Sequence, residues 1–302
     1  MTPSELLPTP PAPPITSSSP SPTSVDAAPK QPALLTRTVW VMLLLLGLAG
    51  QLAWAVENQY FNTFMYDRIT PDPRAVSWMV SITAVVSTVA TILMGTLSDR
   101  TRTRWGRRRP YLFIGYIVWG ILTAAFPLAA KFHPIVMGIF IAILFDSIMS
   151  FFAATASDGA FSAYVTDVTT QATRGRVVGS LEIMKWIAFL IIYGGAGPII
   201  QAVGYNWFFY IIGGIAALIG LVCVPFLREE PPAEKPQGTY WRQIADTFQL
   251  SSLRQNRDFF RVMISLTLFM VGINVFFPYL MIYLQHYIQL SITESSILVA
   301  IS

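Results

Sequence analysis

The chain has 302 residues, of which 54% are hydrophobic and 12% charged, against about 25% charged in an ordinary soluble domain. That balance excludes a soluble globular protein and points to a membrane one. The net charge of +4 does not indicate a nucleic-acid binder, because a basic face needs a soluble domain to carry it and the arginines here stand in short loops between apolar runs.

In chain order, residues 1–36 are rich in Pro, Ser, Thr and Ala, with few large apolar side chains to offset the entropy of ordering. A disordered tail is predicted there, and it lacks the basic start and short apolar core of a secretory signal. Crossing a hydrocarbon core of ~30 Å takes roughly 20 apolar residues. Runs of that length recur near 38–63, 75–97, 110–130, 134–166, 176–201, 206–227 and 260–287, and a further one opens near 293 and is still running at Ser302. We therefore expect part of a longer transporter-like chain. The one long connection, 228–259, begins "REEPPAEKPQ". It separates a six-helix bundle over 37–227 from the start of a second bundle at 260–302, which is a two-half transporter plan.

Lysine and arginine sort the loops. Lys30 and Arg37 precede the first span, a run from Arg100 to Arg109 separates the second and third, and Arg174 and Arg176 follow the fourth. Arg228, Lys235, Arg242, Arg254, Arg257 and Arg261 fall between the sixth and seventh, whereas the opposite side holds Arg68, Arg74 and Lys131. By the positive-inside rule the N-terminus and the arginine loops are cytoplasmic. An integral multi-pass protein of the plasma (inner) membrane is predicted.

"GTLSDRTRTRWGRRRP", residues 95–110, lies between the second and third spans. Its pattern and place resemble the helix 2–3 loop signature of the major facilitator superfamily, and its second part is similar to the glycoside–pentoside–hexuronide:cation symporters and the sucrose:proton symporters. "DGAFSAYVTDVTTQATRGR" at 158–176 and "GQLAWAVENQY" at 50–60 resemble helices 4 and 1 of the same groups. The resemblance implies an all-α major facilitator fold, present as six helices, the seventh and the start of the eighth. It also implies a cytoplasmic latch: Gly95 lets helix 2 approach a neighbour, Asp99 bonds across to the other half when the cytoplasmic side is closed, and Arg100, Gly106, Arg107, Arg108 and Arg109 gather with Asp167, Arg174 and Arg176. The plainer alternative makes these arginines topology anchors that touch lipid headgroups.

Ionisable side chains at bilayer depth cost at least ~2.5–3.5 kcal/mol and usually face a polar cavity. Glu57, Asp146, Asp158, Glu182 and Lys185 are such residues. Glu182 and Lys185 stand three apart on one helical face, either neutralising each other or leaving Lys185 to bind substrate hydroxyls or a helix 4 carboxylate, with Trp186 as a stacking face for a sugar ring. Gln51, Trp54 and Asn58 form one stripe, with Glu57 beside it. Asp146 and Asp158 are about 18 Å apart along a helix and on different faces, so they do not make one site. The resemblance gives Asp158 to cation and sugar binding and Gln51 to sugar contact. Asp146 has no counterpart there. Glu57 either carries the coupling proton or sits solvated near the outer surface. The helix 2 carboxylates that ligate Na⁺ in the sodium-coupled symporters are replaced by Ser87 and Thr91, so a proton on Glu57 or Asp158 is favoured over Na⁺, and uncoupled passage stays open.

No phosphate-binding glycine loop is present. His133 and His286 lack metal-ligand spacing, Cys223 is a single thiol, and neither a cofactor nor an enzyme is expected. The expected function is secondary transport of a sugar or glycoside. A drug or metabolite exporter of the same fold and a non-transporting membrane sensor are the alternatives.

Overall fold

A computed structural model describes residues 35–229 and 257–301. Nearly all of the expected disordered tail (1–36) and of the linker (228–259) lies outside the described residues. Helix α1, Arg37–Ile69, opens at Thr36, whose hydroxyl accepts the Val39 N–H at 3.3 Å and so satisfies one of the free amides of the first turn. Helix α2, Pro73–Arg100, starts from Asp72, whose carboxylate accepts the Arg74 N–H at 2.9 Å, with Pro73 at the first helical position. Helices α3, Arg109–Lys131, and α4, Ile135–Val168, follow.

The next helical stretch, Gln171–Phe226, is 56 residues long, about 84 Å at 1.5 Å per residue and far too long for one crossing. Gly204 breaks it: its φ of 82° is left-handed backbone that glycine adopts without strain. The result is α5 (171–203) and α6 (205–226), with the break where the predicted fifth and sixth spans part. Helix α7 (257–287) and helix α8, Ile292–Ile301, complete the described chain. No strand occurs among the described residues.

Lipid tails are as apolar as the helices, so association depends on close packing, and small residues permit it. Gly120 of α3 and Gly213 of α6 face each other so closely that a β-carbon on either would stand 2.4 or 2.3 Å from the other's carbonyl oxygen. Gly115 of α3 meets Ala156 of α4 in the same way. Around these crossings an aromatic core stacks Phe61 on Phe126 at 3.8 Å, with Phe209 edge-on to Phe61 at 5.1 Å. Buried Tyr116 donates to the Leu46 carbonyl at 2.9 Å.

Helices α7 and α8 join the six-helix bundle at the end remote from the arginine loop. Gln59 Nε2 donates to the Phe277 carbonyl at 2.7 Å, and the Tyr60 and Ser296 hydroxyls bond at 2.6 Å. Asp67 accepts from the Tyr205 hydroxyl at 2.9 Å and bonds His286 Nε2 at 2.8 Å. Toward the arginine loop α7 stands away: its side chains at 261–276 are all exposed.

Candidate functional site

At the arginine-loop end a single guanidinium organises three helix ends. Arg108 is 5% exposed; its Nε donates to Asp167 Oδ2 at 2.7 Å, Nη2 to Asp99 Oδ1 at 2.6 Å and Nη1 to Ser98 Oγ at 3.0 Å. Arg107 adds a second bond to Asp167 at 2.7 Å. The planar, five-donor fork of arginine suits this spread of acceptors, which a lysine ammonium does not match. Asp99 thus bonds inside its own bundle in this arrangement, in which α7 is splayed away at this end; the bond across to the second half is expected where the cytoplasmic side is closed.

Glu229, read in the sequence as plain linker, belongs to the same cluster. Its carboxylate accepts the backbone N–H groups of Arg107, Arg108 and Arg109 at 2.5 to 3.0 Å, where the free amides and dipole of the α3 N-terminus favour an anion. Burial pushes this carboxyl above its ordinary range, while the amides and the Arg109 charge pull it back. Gly106 has φ 108°, and a β-carbon there would collide with Glu229, so the loop needs glycine at that position. Arg109 Nη2 donates to the Pro225 carbonyl at 2.7 Å instead of pairing with Asp167.

Helix α2 comes close to α4 at Gly95: a β-carbon on Gly159 would lie 3.4 Å from the Gly95 amide nitrogen, whereas one on Gly95 would meet nothing within 4 Å. Two expected latch members stand apart from the cluster. Among the described residues Arg174 donates to Thr169 Oγ1 and the Thr166 carbonyl, each at 3.4 Å. Arg176 is exposed and lies outside the cluster, since its position on α5 turns it away from the foot of α4. Arg100 closes the last turn of α2.

At mid-depth, α1 and α5 meet through aromatics. Trp54 stacks on Phe189 at 5.9 Å, and Trp186 stands edge-on to the same ring at 5.8 Å. Along α1, residues 52, 53, 55 and 56 are buried whereas 51, 54 and 58 are not, so the stripe of Gln51, Trp54 and Asn58 is the open side of the helix. Trp54 of this stripe and Trp186 of α5 both pack on the Phe189 ring. Lys185 bonds Glu182 at 2.9 Å, the internal pair read from their spacing, and makes no ion pair with Asp158. The Asn58 amide donates to its own helix at the Trp54 carbonyl, 2.9 Å, which leaves its side-chain oxygen for a ligand. Asp158 lies in a π-helical turn of α4, Ala154–Phe161, exposed on its open side; single π-turns often sit at functional positions.

Glu57 opens another π-helical turn, Glu57–Phe61. Its Oε1 accepts the Ser150 hydroxyl at 2.6 Å and its Oε2 is buried with no hydrogen-bond partner. The solvated outer-surface alternative for Glu57 is thereby replaced by a contact with α4. Asp146, to which the sequence assigned no partner, is 3% exposed and within electrostatic range of Glu57. Asp158 is within range of Glu57 too. Sequence spacing along a single helix does not reveal this, because the meeting point is a residue of another helix.

Compared with models of protein families, residues 39–302 match the Major Facilitator Superfamily. A search of curated proteins returns no match.

Proposed function

The chain belongs to the Major Facilitator Superfamily, an integral multi-pass membrane protein of a transporter family, and on that footing we propose that it carries a sugar or glycoside by proton symport with alternating access. What supports this reading is the open polar stripe of α1 beside the Trp54–Phe189–Trp186 contact with α5. Lys185 is 14 residues into α5, about 21 Å from its start, which is mid-depth in a bilayer. There the ammonium, the Gln51 and Asn58 amides and the Trp54 and Trp186 rings offer what a sugar needs: donors and acceptors for its hydroxyls and flat apolar faces for its ring. Asp158, exposed on α4, is the acidic group this reading assigns to the site.

Sodium fits less well. The Thr91 hydroxyl donates to the Ser87 carbonyl at 2.9 Å inside α2, so these positions supply no negative charge for a hard cation. With the arginine loop in the cytoplasm, the splayed end of α7 faces inward and the contacts of Gln59, Tyr60 and Asp67 close the outer side. The Arg108 cluster then holds the cytoplasmic ends of α2, α3 and α4 together as one rigid unit for rocking. Arg176, exposed at that level, suits anionic lipid headgroups.

Uptake of labelled disaccharides into vesicles containing the protein tests the proposal. Accumulation is expected with an inward proton gradient and not without one. Extrusion instead of uptake would make the protein an exporter, and no flux of any disaccharide from a folded protein would leave a sensor.

A further inference from the structure

Deep in the bundle, between α1, α2 and α4, the carboxylates of Glu57 and Asp146 stand within electrostatic range of each other, and among the described residues neither has an ion-pair partner. Ser150, 1% exposed, is one helical turn from Asp146 on α4, and its hydroxyl holds Glu57 Oε1 of α1 at 2.6 Å. Residues four apart lie on the same helical face, so the Glu57 carboxylate is delivered to the Asp146 side of α4. Thr83 of α2, 8% exposed, stands alongside Asp146 with its own proton given to the Met79 carbonyl at 2.9 Å. Two oxygens are left over: Glu57 Oε2 and Asp146 Oδ1 are both buried and neither accepts a hydrogen bond.

Buried oxygens of this kind are costly unless something satisfies them. Among the described residues neither Glu57 nor Asp146 forms an ion pair, and the further charged group acting on Glu57 is another carboxylate, Asp158. Two ionised carboxylates in a low-dielectric site repel each other strongly, and such pairs settle by keeping a proton in common. We infer that Glu57 and Asp146 form a proton site that holds one proton between them, with Ser150 orienting Glu57, and that this pair is a second proton site beside Asp158, whose carboxylate takes part in coupling. On binding, the proton from solvent adds to one carboxylate oxygen and lowers the charge of the pair from −2 to −1; on release it returns to water.

This inference deepens the symport reading but is tested apart from it, by infrared titration of the purified protein in H₂O and D₂O, without Na⁺ and then with it. The expected result is a protonated-carboxyl C=O band with a deuterium shift that survives Asp158→Asn, changes position in Asp146→Asn and disappears in the Glu57→Gln, Asp146→Asn double variant. Should the double variant fail to fold, Ser150→Ala is expected to move the band by removing its hydrogen-bond donor. A band that persists in the double variant, does not respond to Ser150→Ala, or vanishes when Na⁺ is added at constant pH would overturn the proton pair. Absence of uptake with the band intact would count against the carrier reading and leave the pair standing.

Discussion

Replacing Arg108 by alanine is expected to destabilise the protein by about 2–4 kcal/mol, seen as a lower unfolding midpoint of the detergent-solubilised protein. Three hydrogen bonds go at once, to Asp167, Asp99 and Ser98, and removing one partner of a buried charge cluster costs about 3–5 kcal/mol. The carboxylate side chains are 31% and 39% exposed, so water screens part of that loss and brings the figure down. Arg108→Lys should recover less than half of the stability, because a single ammonium cannot span three acceptors on two helices. Glu229 would stay seated, since its bonds are to the backbone amides of residues 107–109. An unchanged midpoint in Arg108→Ala would show that the cluster is a surface feature, as anchoring to headgroups alone would have it.

Asp158→Asn is the second large effect, and it falls on transport. The amide keeps the size of the side chain and a hydrogen-bonding oxygen but can neither ionise nor take up a proton. Proton-driven accumulation of sugar is expected to drop to the level of empty vesicles. Exchange of labelled for unlabelled sugar at equal pH, which needs no net proton movement, is expected to continue. Accumulation at the wild-type level would remove Asp158 from the site, while loss of exchange as well would move it from coupling to substrate binding.

Much of the fold was legible in the sequence because the bilayer imposes a length and a polarity on each segment. The apolar runs, the break at Gly204 and the Glu182–Lys185 pair all follow from local spacing, and so does the open stripe of Gln51, Trp54 and Asn58. The pairing of Arg107 and Arg108 with Asp167 was legible through the motif. What spacing could not carry was partnership between helices distant in sequence. Ser98 and Glu229 joined the arginine cluster, and Gln59, Tyr60 and Asp67 reached α6, α7 and α8, through contacts that depend on how the helices cross. Asp146 shows the same gap: on its own helix it looks isolated, and only the crossing of α1 over Ser150 gives it a neighbour. Arg174 and Arg176 stand apart from the Arg108 cluster in this arrangement, since a place in the loop after α4 does not fix where a long side chain points.

Thiol labelling tests most directly the claim that these polar groups share one aqueous path. Cysteine would be placed singly at Gln51, Asn58, Asp158 and Lys185 in a background where buried Cys223 is replaced by alanine, and treated with a membrane-impermeant maleimide applied to the side of the arginine loop. Reaction at all four positions, slowed by a transported sugar, is the predicted result. Inertness at all four from either side of the membrane would contradict it, for then the side chains face lipid or sealed interior and nothing is carried between them.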